Sequence, residues 1–261
     1  MEVNFFYGPG DKLGESYDLQ SVESHITLLQ LASKLDAARL LSSKEFLNFE
    51  QDTLIVWPEE FFGVRDSFTN SLWRNVLETN IQKVYVVNPP KLLVEQAKLL
   101  FGIESVTERN HSYKSISLDL IKEVSGSLEN AIVGQDDAVQ SLPRCLVSLM
   151  NTEKKLVVVM LYGPTGVGKT ESAKIIANAL GGEASRMQFS MLQTGSLAEY
   201  LYGSRVNSRS FAADLLERQS NVVIFDEFDK TGSVFHSAFY QLFDEGVFVD
   251  KNYSVDMTTL S

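Results

Sequence analysis

Val157-Val158-Val159-Met160-Leu161-Tyr162-Gly163-Pro164-Thr165-Gly166-Val167-Gly168-Lys169-Thr170 is a β-branched run that enters a glycine-rich loop. The spacing predicts a strand over 157–162, then a loop, then a helix. Ala173, Ile176, Ala177 and Leu180 recur at i, i+3, i+4 and i+7, and Gly181-Gly182 supplies a stop. Gly163, Gly168, Lys169 and Thr170 complete the G-x-x-x-x-G-K-[ST] pattern, with Pro164, Thr165, Gly166 and Val167 filling the loop. Glycines here let backbone N–H groups turn inward and approach an oxyanion with no Cβ in the way. Those amides and the positive end of the next helix make an anion site. The expectation is a nucleotide, with Lys169 on the β- and γ-phosphates and the Thr170 hydroxyl on Mg²⁺.

About sixty residues later, Asn221-Val222-Val223-Ile224-Phe225-Asp226-Glu227 reads as a buried-type strand that ends in two carboxylates. A phosphate-loop ATPase needs this arrangement opposite its loop. Asp226 is expected to hold Mg²⁺ through its waters, and Glu227, one residue on, to polarise the attacking water. An acidic strand end alone is a common turn; paired with the 163–170 loop it points to catalysis by Glu227 and Lys169. Further strands and helices are expected at 186–190, 197–202 and 211–218. Ile132-Val133-Gly134-Gln135-Asp136 precedes a helix carrying Ala138, Leu142, Cys145, Leu146 and Leu149, in which Pro143 predicts a kink or a late start.

The first half alternates apolar strands (3–7, 53–57, 83–87, 103–106) with helical stretches (21–41, 68–79, 90–101, 117–124). The run 83–87, the helix after it and 103–106 make a βαβ unit of parallel strands. Ser125-Gly126-Ser127 reads as a boundary of small polar residues. The expected class is α/β: a small α/β domain with parallel strands over 1–127, followed over 128–261 by a P-loop α/β/α nucleotide-binding domain. The loop Gly8-Pro9-Gly10-Asp11-Lys12-Leu13-Gly14-Glu15-Ser16 is glycine-rich, but its lysine is out of the Gly-Lys-Ser/Thr order, and a plain loop is expected. His25 and His111 stand too far apart in sequence to suggest a metal pair, and Glu59-Glu60 reads as a solvated turn.

Composition sets limits. Of 261 residues, 44% are hydrophobic and 22% charged, as in ordinary globular chains. The formal charge is −11, and both halves are net acidic, which disfavours a nucleic-acid partner. With one cysteine, Cys145, no intramolecular disulfide or cysteine-based zinc cluster can form. The start lacks the basic and long apolar regions of a signal peptide, and no apolar run approaches the ~18 residues of a membrane span. A soluble, cytoplasmic protein with no membrane partner is expected.

Ile132-Val133-Gly134-Gln135, the 163–170 loop and Asp226-Glu227-Phe228-Asp229-Lys230 together resemble the AAA+ ATPases of the Clp chaperone type. Residues 235–243, followed by Asp244-Glu245-Gly246, resemble the helix and acidic turn after the second motif in that family. The resemblance runs over about 129–257. It implies adenine near Ile132 and Val133, Lys169 and Thr170 on the phosphates and Mg²⁺, and Asp226 and Glu227 as the metal and water carboxylates. It also implies a homo-oligomeric ring, usually of six subunits, that remodels protein substrates, with the N-terminal domain choosing the partner. Two departures stand out. Where Clp-type rings carry an aromatic pore loop, this chain reads Ser204-Arg205-Val206-Asn207-Ser208-Arg209-Ser210, and Tyr202 nearby is expected to be core packing. Val255-Asp256-Met257 matches the turn before the family's sensor strand, so that strand, the arginine finger and the helical lid are expected outside this sequence. Two other readings are a nucleotide-dependent switch or scaffold with little hydrolysis, and an N-terminal enzyme regulated by the ATPase.

Overall fold

A computed structural model describes residues 1–17, 24–42, 47–150, 156–191, 194–230 and 232–258. The elements of the first half are β1 (Glu2–Tyr7), α1 (Leu13–Ser16), β2 (Ile26–Thr27), α2 (Leu28–Leu41), β3 (Thr53–Val56), α3 (Asp66–Asn70), α4 (Leu72–Leu77), β4 (Lys83–Val87), α5 (Lys91–Phe101) and β5 (Val106–Asn110). Those of the second are α6 (Leu118–Ala131), α7 (Asp136–Val147), α8 (Lys169–Ala179), β6 (Ser185–Gln188), α9 (Thr194–Tyr202), α10 (Phe211–Leu216), β7 (Val223–Asp226), α11 (Ser233–His236), α12 (Tyr240–Glu245), β8 (Val247–Val249) and β9 (Ser254–Asp256). The chain divides into two units. One is Met1–His111 with Glu199–Glu217 and Val249–Tyr253; the other is Ser112–Ala198 with Arg218–Phe248 and Ser254–Ser261. No helix among the described residues is long and apolar enough to cross a membrane.

The first unit is built on a five-stranded sheet in the order β2-β3-β4-β1-β5, every neighbouring pair parallel. Its inner strands are apolar on both faces, as a covered parallel sheet requires. Val3, Phe5, Leu54, Val56, Val84 and Val86 share one core with the inner stripes of α2, α4 and α5. Trp73 anchors that core: its indole Nε1 donates to the Leu93 carbonyl at 2.9 Å, and its ring meets Phe5 and Phe101 edge-on at 6.1 and 5.7 Å. Phe6, Ile55, Tyr85 and Val87 belong to a second, smaller cluster with Leu13.

Several expectations change in this unit. Residues 103–105 are a 3-10 turn, and the strand is Val106–Asn110, which pairs with β1 rather than β4. It is an edge strand, and edges carry charge to discourage further pairing, so Glu108 and Arg109 hid it from hydrophobic patterning. The helix expected from 21 begins at Leu28; residues 21–23 lie outside the described residues. Thr27 sets that start through a capping box, with Gln30 N–H donating to its Oγ1 at 3.2 Å and its own N–H donating to Gln30 Oε1 at 3.1 Å. The stretch expected as one helix over 68–79 is two short ones, α3 and α4. Glu60 is buried, not solvated: its Oε2 accepts the Trp57 N–H at 3.1 Å and caps the turn that follows β3. The Gly8 loop is held by structure. Asn88 Oδ1 accepts the Gly8 N–H, Asn88 Nδ2 donates to the Gly8 carbonyl, and Lys12 pairs with Glu15.

In the second unit α6, α7 and α8 share a core that includes Leu120, Leu128, Ile132, Leu142, Ile176 and Leu180. Ser125-Gly126-Ser127 lies inside α6, not in a linker. The buried stripe Leu120, Ile121, Val124 and Leu128 carries the helix through those small residues, and Ser117 Oγ caps it from the Leu120 N–H at 3.2 Å. Helix α7 begins at Asp136 and continues through Pro143 to Val147 without a late start. Strands β6 and β7 form a parallel pair, and β8 and β9 a second two-stranded sheet. The run 157–162, expected as a strand, is none. Its β-branched side chains suit a strand, but a strand is held by ladder bonds to a neighbour, and none of the described strands pairs with it. Val158, Met160 and Tyr162 are instead 58%, 83% and 90% exposed.

Candidate nucleotide site

The loop 163–170 closes as its glycines demand. Gly163, Gly166 and Gly168 take φ of 138°, 83° and 94°, where a Cβ would be strained. Gly168 is the N-cap of α8, and the first turn is closed by the Ser172 N–H and Oγ donating to its carbonyl at 2.8 and 2.9 Å. A Cβ on Gly168 would lie 3.0 Å from Ile132 Cδ1, so Ile132 is seated against the loop. Of the two residues expected near adenine, Ile132 is buried in this way and Val133 is 89% exposed. Thr170 lies half-buried in the first turn of α8. Lys169 Nζ donates to the Gly163 and Pro164 carbonyls at 2.9 and 2.7 Å, folding the ammonium over the mouth of its own loop.

Asp226 ends β7 in register with Gln188 of β6. Arg186, two residues earlier on β6, reaches across and clasps it: Nε donates to Oδ2 at 3.1 Å and Nη2 donates to the same oxygen. Glu227 has a φ of 55°, in the left-handed region that few non-glycine residues enter. Its carbonyl accepts the Lys230 N–H at 3.0 Å, and its Oε1 accepts from Lys230 Nζ at 3.1 Å. The Ser190 hydroxyl and then Lys230 hold the Glu227 carboxyl below the usual glutamate range, so it is ionised at neutral pH. Behind this strand end Phe189, Phe225, Phe228, Phe239 and Phe243 form one aromatic cluster, with Phe225–Phe239 and Phe189–Phe228 centroids each 5.2 Å apart.

The loop and the strand end thus fall within one unit, and each is tied up locally. The donor types suit Mg-ATP: amides, an ammonium and a helix N-terminus for phosphates, and a hydroxyl with a carboxylate, both hard oxygen ligands, for Mg²⁺.

The comparisons agree with this arrangement. The family described as "ATPase family associated with various cellular activities (AAA)" matches residues 159–245. The chain is 33% identical over 137 residues to the chaperone protein ClpB of Chlamydia caviae, covering 48% of this chain and 16% of that one. This half of the chain is therefore similar to AAA+ ATPase domains of the Clp type. It is also 31% identical over 144 residues to the chloroplastic chaperone protein ClpD of Arabidopsis thaliana, covering 50% and 15%. With the AAA+ ATPase ClpV1 of Pseudomonas aeruginosa the identity is 30% over 146 residues, covering 51% and 16%. The chain spans about a sixth of the length of these curated relatives.

Within the second unit, sequence patterning passed over Arg186 and Ser190, since nothing in the β6 sequence ties them to residues some forty positions away. Lys230 was legible, as an acid–base pair spaced i, i+3 with Glu227. Three arginines, Arg205, Arg209 and Arg218, differ in what they can reach. Arg218 is 5% exposed, its guanidinium 4.4 Å over the Tyr113 ring and its Nε donating to Asn221, so it cannot reach outward. Arg209 is on the surface and bound to Asp214 at 2.7 Å, and Arg205 is exposed. Tyr202, expected in the core, is 50% exposed.

Proposed function

We propose that this chain binds and hydrolyses Mg-ATP, and that the hydrolysis drives remodelling of a protein partner chosen by the N-terminal unit. The observation that carries the reading is the pairing, within one AAA+ domain, of a three-glycine loop capping α8 with a β-strand that ends in Asp226-Glu227. In this reading Lys169 leaves the Gly163 and Pro164 carbonyls for the β- and γ-phosphates, while the loop amides bind the phosphate oxygens. Residues 164–167 form the wall of the cradle, and Ile132 with Val133 borders the base. Thr170 and Asp226 hold Mg²⁺, which supplies charge balance on the phosphates. Glu227 polarises the attacking water and takes its proton. A cytoplasmic, homo-oligomeric ring without nucleic acid belongs to the same proposal.

The test is ATP turnover by the full-length protein with Glu227→Gln. Turnover is expected to fall by about a hundredfold or more with nucleotide binding retained. Unchanged turnover would overturn the assignment.

One observation favours a second reading, a nucleotide-dependent switch that hydrolyses little. Lys169 and Asp226 both have partners in their own chain, so nucleotide binding must break those contacts and couples to a rearrangement. ATP-dependent assembly with negligible phosphate release would select it.

A further inference from the structure

We propose that His236 is a positioning residue, whose ring holds the 227–230 turn so that the Glu227 carboxylate faces the water it polarises. The inference rests on the hydrolytic reading of Glu227. Three contacts carry it. The His236 Nε2 lies 3.3 Å from the Phe228 carbonyl oxygen, within donating distance. The imidazole stacks on the Phe228 ring, with centroids 4.6 Å apart and planes 24° from parallel. Phe228 is also packed edge-on against Phe189, Phe225 and Phe239 at 5.2, 5.8 and 5.4 Å. Residue 228 is thereby gripped at both its ring and its carbonyl, immediately after Glu227.

That grip answers a conformational question. Glu227 sits at φ 55°, and a residue with a Cβ and a long side chain keeps a left-handed backbone only where its surroundings impose it. The Phe228 ring fixes where the chain goes next. The His236 bond fixes the rotation of the 228–229 peptide, and the Lys230 N–H closes the turn on the Glu227 carbonyl at 3.0 Å. Released from that peptide bond, the turn can relax toward ordinary φ and swing the carboxylate away from Ser190 and Lys230. Nε2 carries its proton in the donating tautomer. The hydrogen bond and the ring stack of His236 are both made with residue 228, so its effect on Glu227 passes through that residue.

The experiment uses the full chain and four variants: His236→Phe, which keeps a stacking ring but no donor; His236→Gln, which keeps a donor at the Nε2 position; Glu227→Gln; and Glu227→Gln with His236→Phe. His236→Phe should lower kcat by at least about tenfold, toward the hundredfold of an ångström-scale misplacement, with ATP Kd and KM within about twofold of wild type. His236→Gln should recover most of kcat, and the double variant should be no slower than Glu227→Gln alone. Wild-type kcat in His236→Phe overturns the proposal. So does loss of ATP affinity alongside kcat, equal losses in His236→Phe and His236→Gln, or a further loss in the Glu227→Gln background. A wild-type chain that turns over no ATP, or one indifferent to Glu227→Gln, overturns the hydrolytic reading itself and the inference with it.

Discussion

Arg186 on β6 closes its guanidinium on Oδ2 of Asp226, forty positions further along the chain. The pair is partly open to solvent, with side chains 45% and 26% exposed, so its worth to folding is about 0–1 kcal/mol. Its effect on ligands is larger in kind, because it sets a fixed positive charge on the carboxylate proposed to hold Mg²⁺. Arg186→Leu should leave the melting temperature nearly unchanged and lower the Mg²⁺ midpoint for ATP binding by about fivefold, the equivalent of about 1 kcal/mol. Titrating MgCl₂ against a fluorescent ATP analogue measures this. A midpoint that stays or rises means that the arginine does not compete with the metal.

Gly168 and Ile132 give a second prediction. Alanine at 166 or 168 must occupy a left-handed backbone, at about 1–2 kcal/mol. At 166 the new methyl enters open space, whereas at 168 it lies 3.0 Å from Ile132 Cδ1. Gly168→Ala should therefore lower the urea midpoint more than Gly166→Ala. Equal shifts would show that Ile132 is not seated on the loop.

Gly126 tests the helix that replaced the expected linker. It lies in the interior of α6, and a Cβ there meets nothing within 4 Å. Gly126→Ala should stabilise the protein by up to about 1 kcal/mol, and Gly126→Pro should destabilise it by about 3 kcal/mol or more. In a linker the alanine would do little and the proline would be tolerated. Thermal melts of the two variants decide.

Glu217 carries a pH signature. Although the residue as a whole is exposed, desolvation of its carboxyl by neighbouring groups, and then the Asp214 carboxylate, push its pKa above the ordinary value of 4.5, against the opposing pull of Arg209. A carboxyl raised on folding stabilises the fold while it is protonated, below 4.5, and that contribution is lost as pH climbs through the raised value. Glu217→Gln should leave stability unchanged near pH 4 and raise it relative to wild type toward neutral pH. Chemical melts across that window read the difference. A constant gap between the two proteins would sink the assignment.

Much of the framework was legible because burial leaves a periodic trace. Strands β1, β3 and β4 read as apolar runs since both faces of their sheet are covered, and α8 showed its stripe and glycine stop. What escaped had no such trace. Strand β5 is a polar edge, recognisable only beside β1. The 157–162 run has the side chains of a strand, but strand structure depends on a neighbour's backbone. Ser125-Gly126-Ser127 looks like a boundary until Leu120, Val124 and Leu128 are seen buried on the same helix.

For the site the division is the same. Sequence alone determined the chemistry that is local in the chain: loop glycines that need positive φ, the Lys169-Thr170 pair at a helix start, and two carboxylates at a strand end. Those needs are met within a few residues, so spacing suffices to state them. Tertiary structure decided the partners of each charge: Lys169 on its own loop carbonyls, Asp226 under Arg186, and Glu227 between Ser190 and Lys230 with His236 behind the turn. The contacts of Asp226 with Arg186 and of Glu227 with Ser190 join residues that only the packing of β6 beside β7 brings within reach, and no pattern along the chain encodes them.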